Sequence, residues 1–421
     1  VVLARHERPG SSPPTPRADT PQLSGASSSA SSGRLLGRDL LSDGVRISVE
    51  LAPLRVPDRA TVVAAVRHLI GLGPAARAGR TLDGSRWAYD PAALDAQAER
   101  MVRRLPPALT GDAGLPRLRD AADPDLPLTV FLGEDRASLC IDHRLGDGFL
   151  GVQMTAAALA GRGAPAVFTR AVDENPFRAA AVTTFLRHPS RGAQLLRDRF
   201  TERRASYDGP SVSGQRRSLD LVMRRMDPET FRSLAAWSRG RVPPTVATMF
   251  ALHAALRGSG IPVMDEGAIL VDLRRYLPSG RSTLANFVVG HPVTVADGID
   301  AAGARFSRDL HVGRPLAALA AGLATRSWRR RGAPASVPAA ASPIVSDMGF
   351  LRALEPLPWA SDDALIRVSV DPATRNGITA LTAVLRRHMN VSVSFDSSLY
   401  DRESIAAAVQ LLCRDPEGLL P

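Results

Sequence analysis

Apolar residues along this chain recur at two spacings. Val62, Val63, Val66, Leu69 and Ile70 share one face at helical spacing, with Pro57-Asp58 ahead of them and Gly71 behind, which predicts a helix with a defined start and stop. Pro91 to Arg104 reads as a second helix, Phe149 to Leu159 as a buried one, and Asp227-Pro228 opens another through Trp237. Pro243-Pro244 and Gly258 bracket a strongly apolar helix over Thr245 to Leu256, and Ser404 to Leu412 closes the chain. Strand-like runs are Val45 to Leu51, Ser85 to Tyr89, Leu128 to Leu132, Ser138 to Asp142, Arg217 to Met226, Ala268 to Leu273, Asn286 to Val295 and Leu365 to Val370. Ile378 to Leu385 and Val391 to Phe395 follow as a hairpin joined through Arg387-His388-Met389-Asn390.

Strands interspersed with helices in two comparable halves indicate a mixed α/β (α+β, two-layer) protein of two lobes, and 421 residues suit two cores better than one. The expected division is 1–34 as a disordered tail, 35–209 as the first lobe and 210–421 as the second, with the boundary near Gly209-Pro210. The tail is Ser-, Pro- and Gly-rich through Gly33 and has too little apolar surface to offset the entropy of ordering it.

Charge changes this picture little. The formal net charge is +11, and all 53 basic residues are Arg. That excess favours an acidic partner such as coenzyme phosphates or an acidic carrier protein. Arg329-Arg330-Arg331 is the densest run, read as a solvated loop rather than a nucleic-acid site. Two distant cysteines, Cys140 and Cys413, form neither a disulfide framework nor a zinc motif, so the expected setting is reducing and cytoplasmic. No apolar run approaches the roughly 20 residues of a membrane span, and the N-terminus has no signal-like apolar core.

The candidate chemistry lies between the Ser138 to Asp142 strand and the Phe149 to Leu159 helix. There His143, Asp147 and Gly148 form an HxxxDG pattern. A loop imidazole takes a proton from an attacking hydroxyl or amine. An Asp four residues on can fix the loop by pairing with an Arg, and Gly148 permits close approach at the start of the helix. The structural alternative is a loop His with an Asp that shapes the turn. Of the other histidines, His253 reads as a core residue on an apolar helix, and His291 follows the Asn286 strand, near enough to be a minor candidate. No HExxH, GxSxG or Walker pattern occurs, and no metal ligands are expected.

Asp142-His143-Arg144-Leu145-Gly146-Asp147-Gly148 resembles the HHxxxDG signature of the chloramphenicol acetyltransferase and condensation-domain superfamily. The resemblance extends over most of the chain after residue 35. Arg46 to Trp87 is similar to that family's opening strand, helix and G-x-x-W strand. Val271 to Leu277 resembles its VDLRR strand, Leu284 to Val288 its GNF segment, and Val345-Ser346-Asp347-Met348-Gly349 its SNxG segment. Asn390 to Val409 is similar to its closing strand and helix.

The resemblance implies two similar lobes with a tunnel between them, and direct acyl transfer from a thioester to a hydroxyl or amine. It implies His143 as general base, Asp147 as a structural acid, Arg274 as partner of Asp147, and Asn286 shaping the tunnel near the reacting carbonyl. Asp142, Arg274, Asn286 and Ser346 are the candidate substrate contacts. No cofactor is implied, acyl-coenzyme A or a phosphopantetheine-bound acyl group being the substrate, and a free-standing monomer is expected. The chain departs from the family at Asp142, which replaces the first His, and at Ala285, which replaces a Gly. Asp142 would help the imidazole keep its proton. It also motivates the alternative of a degenerate, non-catalytic condensation-like binding protein.

Overall fold

The computed structural model describes residues 29–160, 166–168, 175–199, 211–213, 218–329 and 336–421. Its strands in chain order are β1 (Ser31–Arg34), β2 (Arg46–Ala52), β3 (Thr81–Asp83), β4 (Arg86–Tyr89), β5 (Val102–Arg104), β6 (Leu128–Leu132), β7 (Ala137–Asp142), β8 (Ser211–Ser213), β9 (Leu219–Met226), β10 (Glu266–Asp272), β11 (Val288–Thr294), β12 (Ser336–Pro338), β13 (Ser342–Phe350), β14 (Leu365–Val370), β15 (Gly377–Leu385) and β16 (His388–Asp396). Two sheets carry the fold. One is five-stranded in the order β14-β2-β7-β6-β5, the other six-stranded in the order β11-β10-β13-β15-β16-β9.

Local chemistry accounts for most element ends. Asp58 caps the helix Arg59–Ile70 by accepting from Thr61 N at 2.9 Å. Asp227 and Asp401 do the same for Pro228–Ser238 and Arg402–Arg414. Pro244 occupies the first turn of the buried helix Pro244–Gly258, where a missing N–H costs nothing. The helix expected over Pro91 to Arg104 instead ends at Met101, because Val102 pairs in parallel with Val130 and continues as β5. Two helices absent from the periodicity reading, Ile299–Val312 and Arg314–Arg329, cover the second sheet near its β11 edge.

The described part of the expected tail departs from expectation. Ser31–Arg34 is a strand, paired antiparallel with β4, because Gly33 fits directly under the Trp87 ring. Residues 1–28 lie outside the described residues, as do 330 and 331 of the arginine run.

Each half has its own hydrophobic core, but the halves do not divide cleanly at 209. Residues 351–370 return to the first half. Leu351, Leu354, Leu357, Trp359, Ile366 and Val368 all join its core, and β14 pairs antiparallel along β2. The free edge of β14 then meets β16 of the other sheet. Its Ile366, Val368 and Val370 N–H groups donate to Asn390 Oδ1, Ser392 Oγ and Ser394 Oγ at 3.3, 3.1 and 3.2 Å. The polar positions of β16 therefore alternate as a solvent-facing row would, yet they are buried. They satisfy a strand edge that would otherwise lose water without gaining partners.

Ser392→Ala removes the acceptor for the Val368 N–H and is expected to cost about 1–3 kcal/mol, measured by denaturant unfolding. Ser361→Ala, at an exposed turn, should leave the midpoint almost unmoved.

Candidate active site

Strand β7 is buried along its length and delivers the polar loop at its end. The loop is held at its start by His143 N donating to Val45 O at 3.0 Å and by Leu145 N donating to Asp142 O at 3.0 Å. It ends where Asp147 caps the helix Gly148–Leu159, accepting from Phe149 N at 3.1 Å.

Asp147 does more than cap. Its Oδ2 accepts from Arg274 Nη1 at 2.8 Å and from Phe287 N at 2.9 Å. Its Oδ1 accepts from Arg274 Nη2 at 3.1 Å as well as from Phe149 N. The carboxylate is thus saturated. Burial acts to raise its pKa, but the Arg274 charge and hydrogen bonds, the Phe287 N–H and the nearby His143 outweigh this and hold it below the ordinary carboxylate range. Arg274 is equally committed. Nε donates to Thr283 O, Nη2 also to Ala285 O, and Nη1 also to Asp272, while the guanidinium lies 4.7 Å over the Phe149 ring. Burial penalises the Arg274 charge, and the two carboxylates more than offset that and keep it protonated. Every nitrogen of its fork is occupied by protein, so Arg274 braces the loop and leaves no donor for a substrate.

Because Arg274 grips the carbonyls of 283 and 285, Asn286 arrives beside the loop. Its carboxamide nitrogen lies 3.3 Å from His143 Nδ1 and 2.8 Å from Ser42 Oγ. Gly146 makes this approach possible, since a Cβ there would stand 2.5 Å from Leu284 O. Ser42 sits on a short 3-10 helix, Asp39–Ser42, whose buried Asp39 pairs with Arg77 at 2.7 Å, and Arg77 also donates to Leu145 O. His143 itself is half-buried and so remains reachable.

Asp142 does not serve as expected. Its Oδ1 accepts from Arg144 N and Nε, both at 2.9 Å, and its Oδ2 from Arg144 Nη2 at 2.7 Å. Arg144 in turn donates to Gly84 O at 2.9 Å. The carboxylate is spent on its own loop, not on a substrate or the imidazole, because an Arg two residues away can fold back onto it as a bidentate partner.

Ser346 lies on β13 in a half-buried stretch, but the β13 side chain at the loop is Met348. Its Sδ and Cε stand where a Cβ on Gly148 would be, at 2.7 Å. His253 is buried in its helix, 3.9 Å from Asp265. His291 is buried under Phe306, 3.2 Å from Asp309, and belongs to the second core. Among the described residues no group of His, Cys, Asp and Glu side chains could hold a metal ion, and no helix is long and apolar enough to cross a membrane.

The sequence reading missed Ser42, Arg144 and Met348. Arg144 had a signal, the Asp-x-Arg spacing. Met348 lay in a segment already singled out. Ser42 had none, since it is 244 residues from the Asn it contacts.

Asp147→Ala leaves Arg274 buried with only Asp272 beside it. We expect a loss of about 3 kcal/mol, the low end for breaking a buried pair, in chemical denaturation. Since the folded-state pKa of Asp147 is lowered, its contribution is complete above the unfolded value of about 3.9 and disappears as pH falls through the folded value. Wild-type stability should therefore drop more steeply than that of Asp147→Asn below about pH 4.

No family model and no curated protein matches this sequence. Solved structures do match its fold. A trichothecene 15-O-acetyltransferase from Fusarium sporotrichioides superposes with a TM-score of 0.62 at 12% identity, over 91% of this chain and 95% of that one. The first condensation domain of the calcium-dependent antibiotic synthetase, in complex with a substrate analogue, gives 0.58 at 17% identity, over 92% and 95%. The epimerization domain from the third module of tyrocidine synthetase B gives 0.54 at 13% identity, over 91% and 93%. The chain thus has a mixed α/β fold that resembles those of an acetyltransferase, a condensation domain and an epimerization domain, three different reactions on one architecture.

Proposed function

We propose that this protein is an acyltransferase that moves an acyl group from a thioester to a hydroxyl or amine, with His143 as general base. The observation that carries the reading is the contact of His143 Nδ1 with the Asn286 carboxamide, itself bonded to Ser42. A half-turn of that carboxamide puts its oxygen in the same place. There it accepts from both the His143 Nδ1–H and the Ser42 hydroxyl. The proton is then fixed on Nδ1, and Nε2 is left with a lone pair toward the half-exposed side of the loop.

In this reading the Nε2 lone pair takes the proton of the acceptor as its oxygen or nitrogen attacks the thioester carbonyl. A C–O or C–N bond forms, the tetrahedral oxyanion collapses, the C–S bond breaks, and the thiolate leaves with the proton held on the imidazolium. Backbone N–H groups near Gly148, other than that of Phe149 which Asp147 already takes, are the donors assigned to the oxyanion in this reading. The two sheets form two lobes, with both substrates held in a passage along their seam, where proximity lowers the barrier. The donor is acyl-coenzyme A or an acyl group on a carrier protein. Both end in the same pantetheine arm, and both carry the negative charge that a net +11 favours.

The engagement of Asp142 by Arg144 weakens the non-catalytic alternative. Asp142 anchors the loop internally, through Arg144. An epimerase would move a proton without releasing thiol, and a binding protein would do neither.

Thiol release from a panel of acyl thioesters, offered with alcohols and amines, tests the reading. His143→Ala should lower turnover by about 10²- to 10⁴-fold with unchanged unfolding. Asn286→Ala should lower kcat by roughly 2- to 10-fold, the worth of one positioning hydrogen bond, with Ser42→Ala milder. Wild-type protein that binds thioesters without releasing thiol would refute catalysis.

A further inference from the structure

Asp39 and Arg77 lie outside the HxxxDG loop, and both are buried: Asp39 is closed to solvent and Arg77 is 4% exposed. They come from separate segments. Asp39 opens the 3-10 helix Asp39–Ser42, and Arg77 follows the 3-10 helix Pro74–Ala76, between the buried Ala76 and Ala78. Burying either charge is costly unless the other meets it. Arg77 carries a second cost, since its backbone turns left-handed at φ 67°, one of two residues other than Gly to do so among the described residues. Glycine at 77 would remove that cost, and the guanidinium with it. Strain kept at a buried residue directs attention to what its side chain holds.

It holds part of a ring of contacts around His143. One side of the ring is backbone: His143 N donates to Val45 O at 3.0 Å, and Val45 N donates to Ser42 O at 3.1 Å. The other side is built by Arg77. Its Nη1 donates to Leu145 O, two residues past His143, and its Nη2 donates to Asp39 Oδ2 at 2.7 Å, with Nη1 also 3.4 Å from Asp39 Oδ1. Asp39 and Ser42 share one short helix, so the fork ties the segment of Ser42 to the loop of His143. A second tie, Arg144 to Asp43, is 3.4 Å long and ends on a half-exposed carboxylate, which makes it the weaker one. Within the ring, Ser42 Oγ lies 2.8 Å from the Asn286 carboxamide that faces His143 Nδ1.

Resting on the acyltransferase reading, we infer that Asp39 and Arg77 are positioning residues of this site: the pair fixes the distance between Ser42 and the loop, and through Asn286 keeps the His143 proton on Nδ1, so that Nε2 is free to act. Arginine is needed because one fork must reach two carboxylate oxygens and a carbonyl at once, which the point charge of a lysine does not do.

Nitrogen NMR of the full chain with ¹⁵N-labelled histidine, at about pH 9 to keep imidazoles uncharged, reads the tautomer of His143 without turnover. A protonated and a bare ring nitrogen differ widely in shift, and His143→Gln identifies the signal. Wild type should show Nδ1–H, and Arg77→Met should bring in the Nε2–H form. Its kcat for thiol release should fall about tenfold with KM little changed, the worth of one hydrogen bond to a charged group. Arg77→Lys should restore only part of that loss. Because Arg77→Met leaves Asp39 buried, Asp39→Leu/Arg77→Met, which removes both charges, is measured beside it. A pair that served the fold alone would let this double variant regain the wild-type tautomer and kcat, whereas a positioning pair leaves both impaired. Wild-type tautomer and kcat in either variant, Nε2–H in wild type, or loss of folding in both variants would overturn the inference. A tautomer that shifts as expected in a protein that never releases thiol would overturn the acyltransferase reading and keep the effect of the pair on His143.

Discussion

The two halves meet around one buried ion pair. Asp147 ends the loop of the first half and Arg274 begins the connection β10–β11 of the second, and their bidentate contact is closed to solvent on both sides. Either charge alone would be costly there, so each compels the other. The arrangement also transmits position. Arg274 holds the carbonyls of Thr283 and Ala285, and Asp147 holds the N–H of Phe287. Asn286 lies between those grips, which is why its carboxamide arrives at His143. The imidazole is thus oriented by the opposite half of the molecule, through a charge pair that need not touch a substrate.

A site on a seam needs the seam to be rigid. The second half supplies β14 to the first sheet, and β16 satisfies the outer edge of β14 with Asn390, Ser392 and Ser394. Much of the seam is polar, and the outer N–H groups of β14 are paired along it. A paired polar seam holds one register, whereas apolar contact alone would allow sliding. The Asp39–Arg77 pair and the Arg77 contact with Leu145 O extend the same principle to Ser42. The arginine content is partly explained in this way. Arg77, Arg144 and Arg274 are internal braces, so the net charge overstates what faces an outside partner.

Beside this rigid frame β13 departs from regular pairing between Asp347 and Phe350. Gly349 supplies a left-handed turn there, and Asp347 holds it by accepting from Gly349 N and Thr382 Oγ1. Met348, beside that irregularity, crosses to pack on the core of the first half and over Gly148.

What the sequence determined by itself was local. The helix Arg59–Ile70 with its Asp58 cap, the strand–loop–helix that carries HxxxDG and the strands Gly377–Leu385 and His388–Asp396 all follow from periodicity and capping between near neighbours. What only the tertiary structure decided was partnership across the chain. Asp142 looked like a modifier of His143 and is bound to Arg144; Leu365–Val370 looked like a strand of the second half and completes the first sheet. Ser42 and Met348 carried no local sign of their contacts. The physical reason is that a side chain's donors, acceptors and volume are written in the residue, but which distant group satisfies them is settled only when the two sheets pack and each buried polar atom must find a partner within reach.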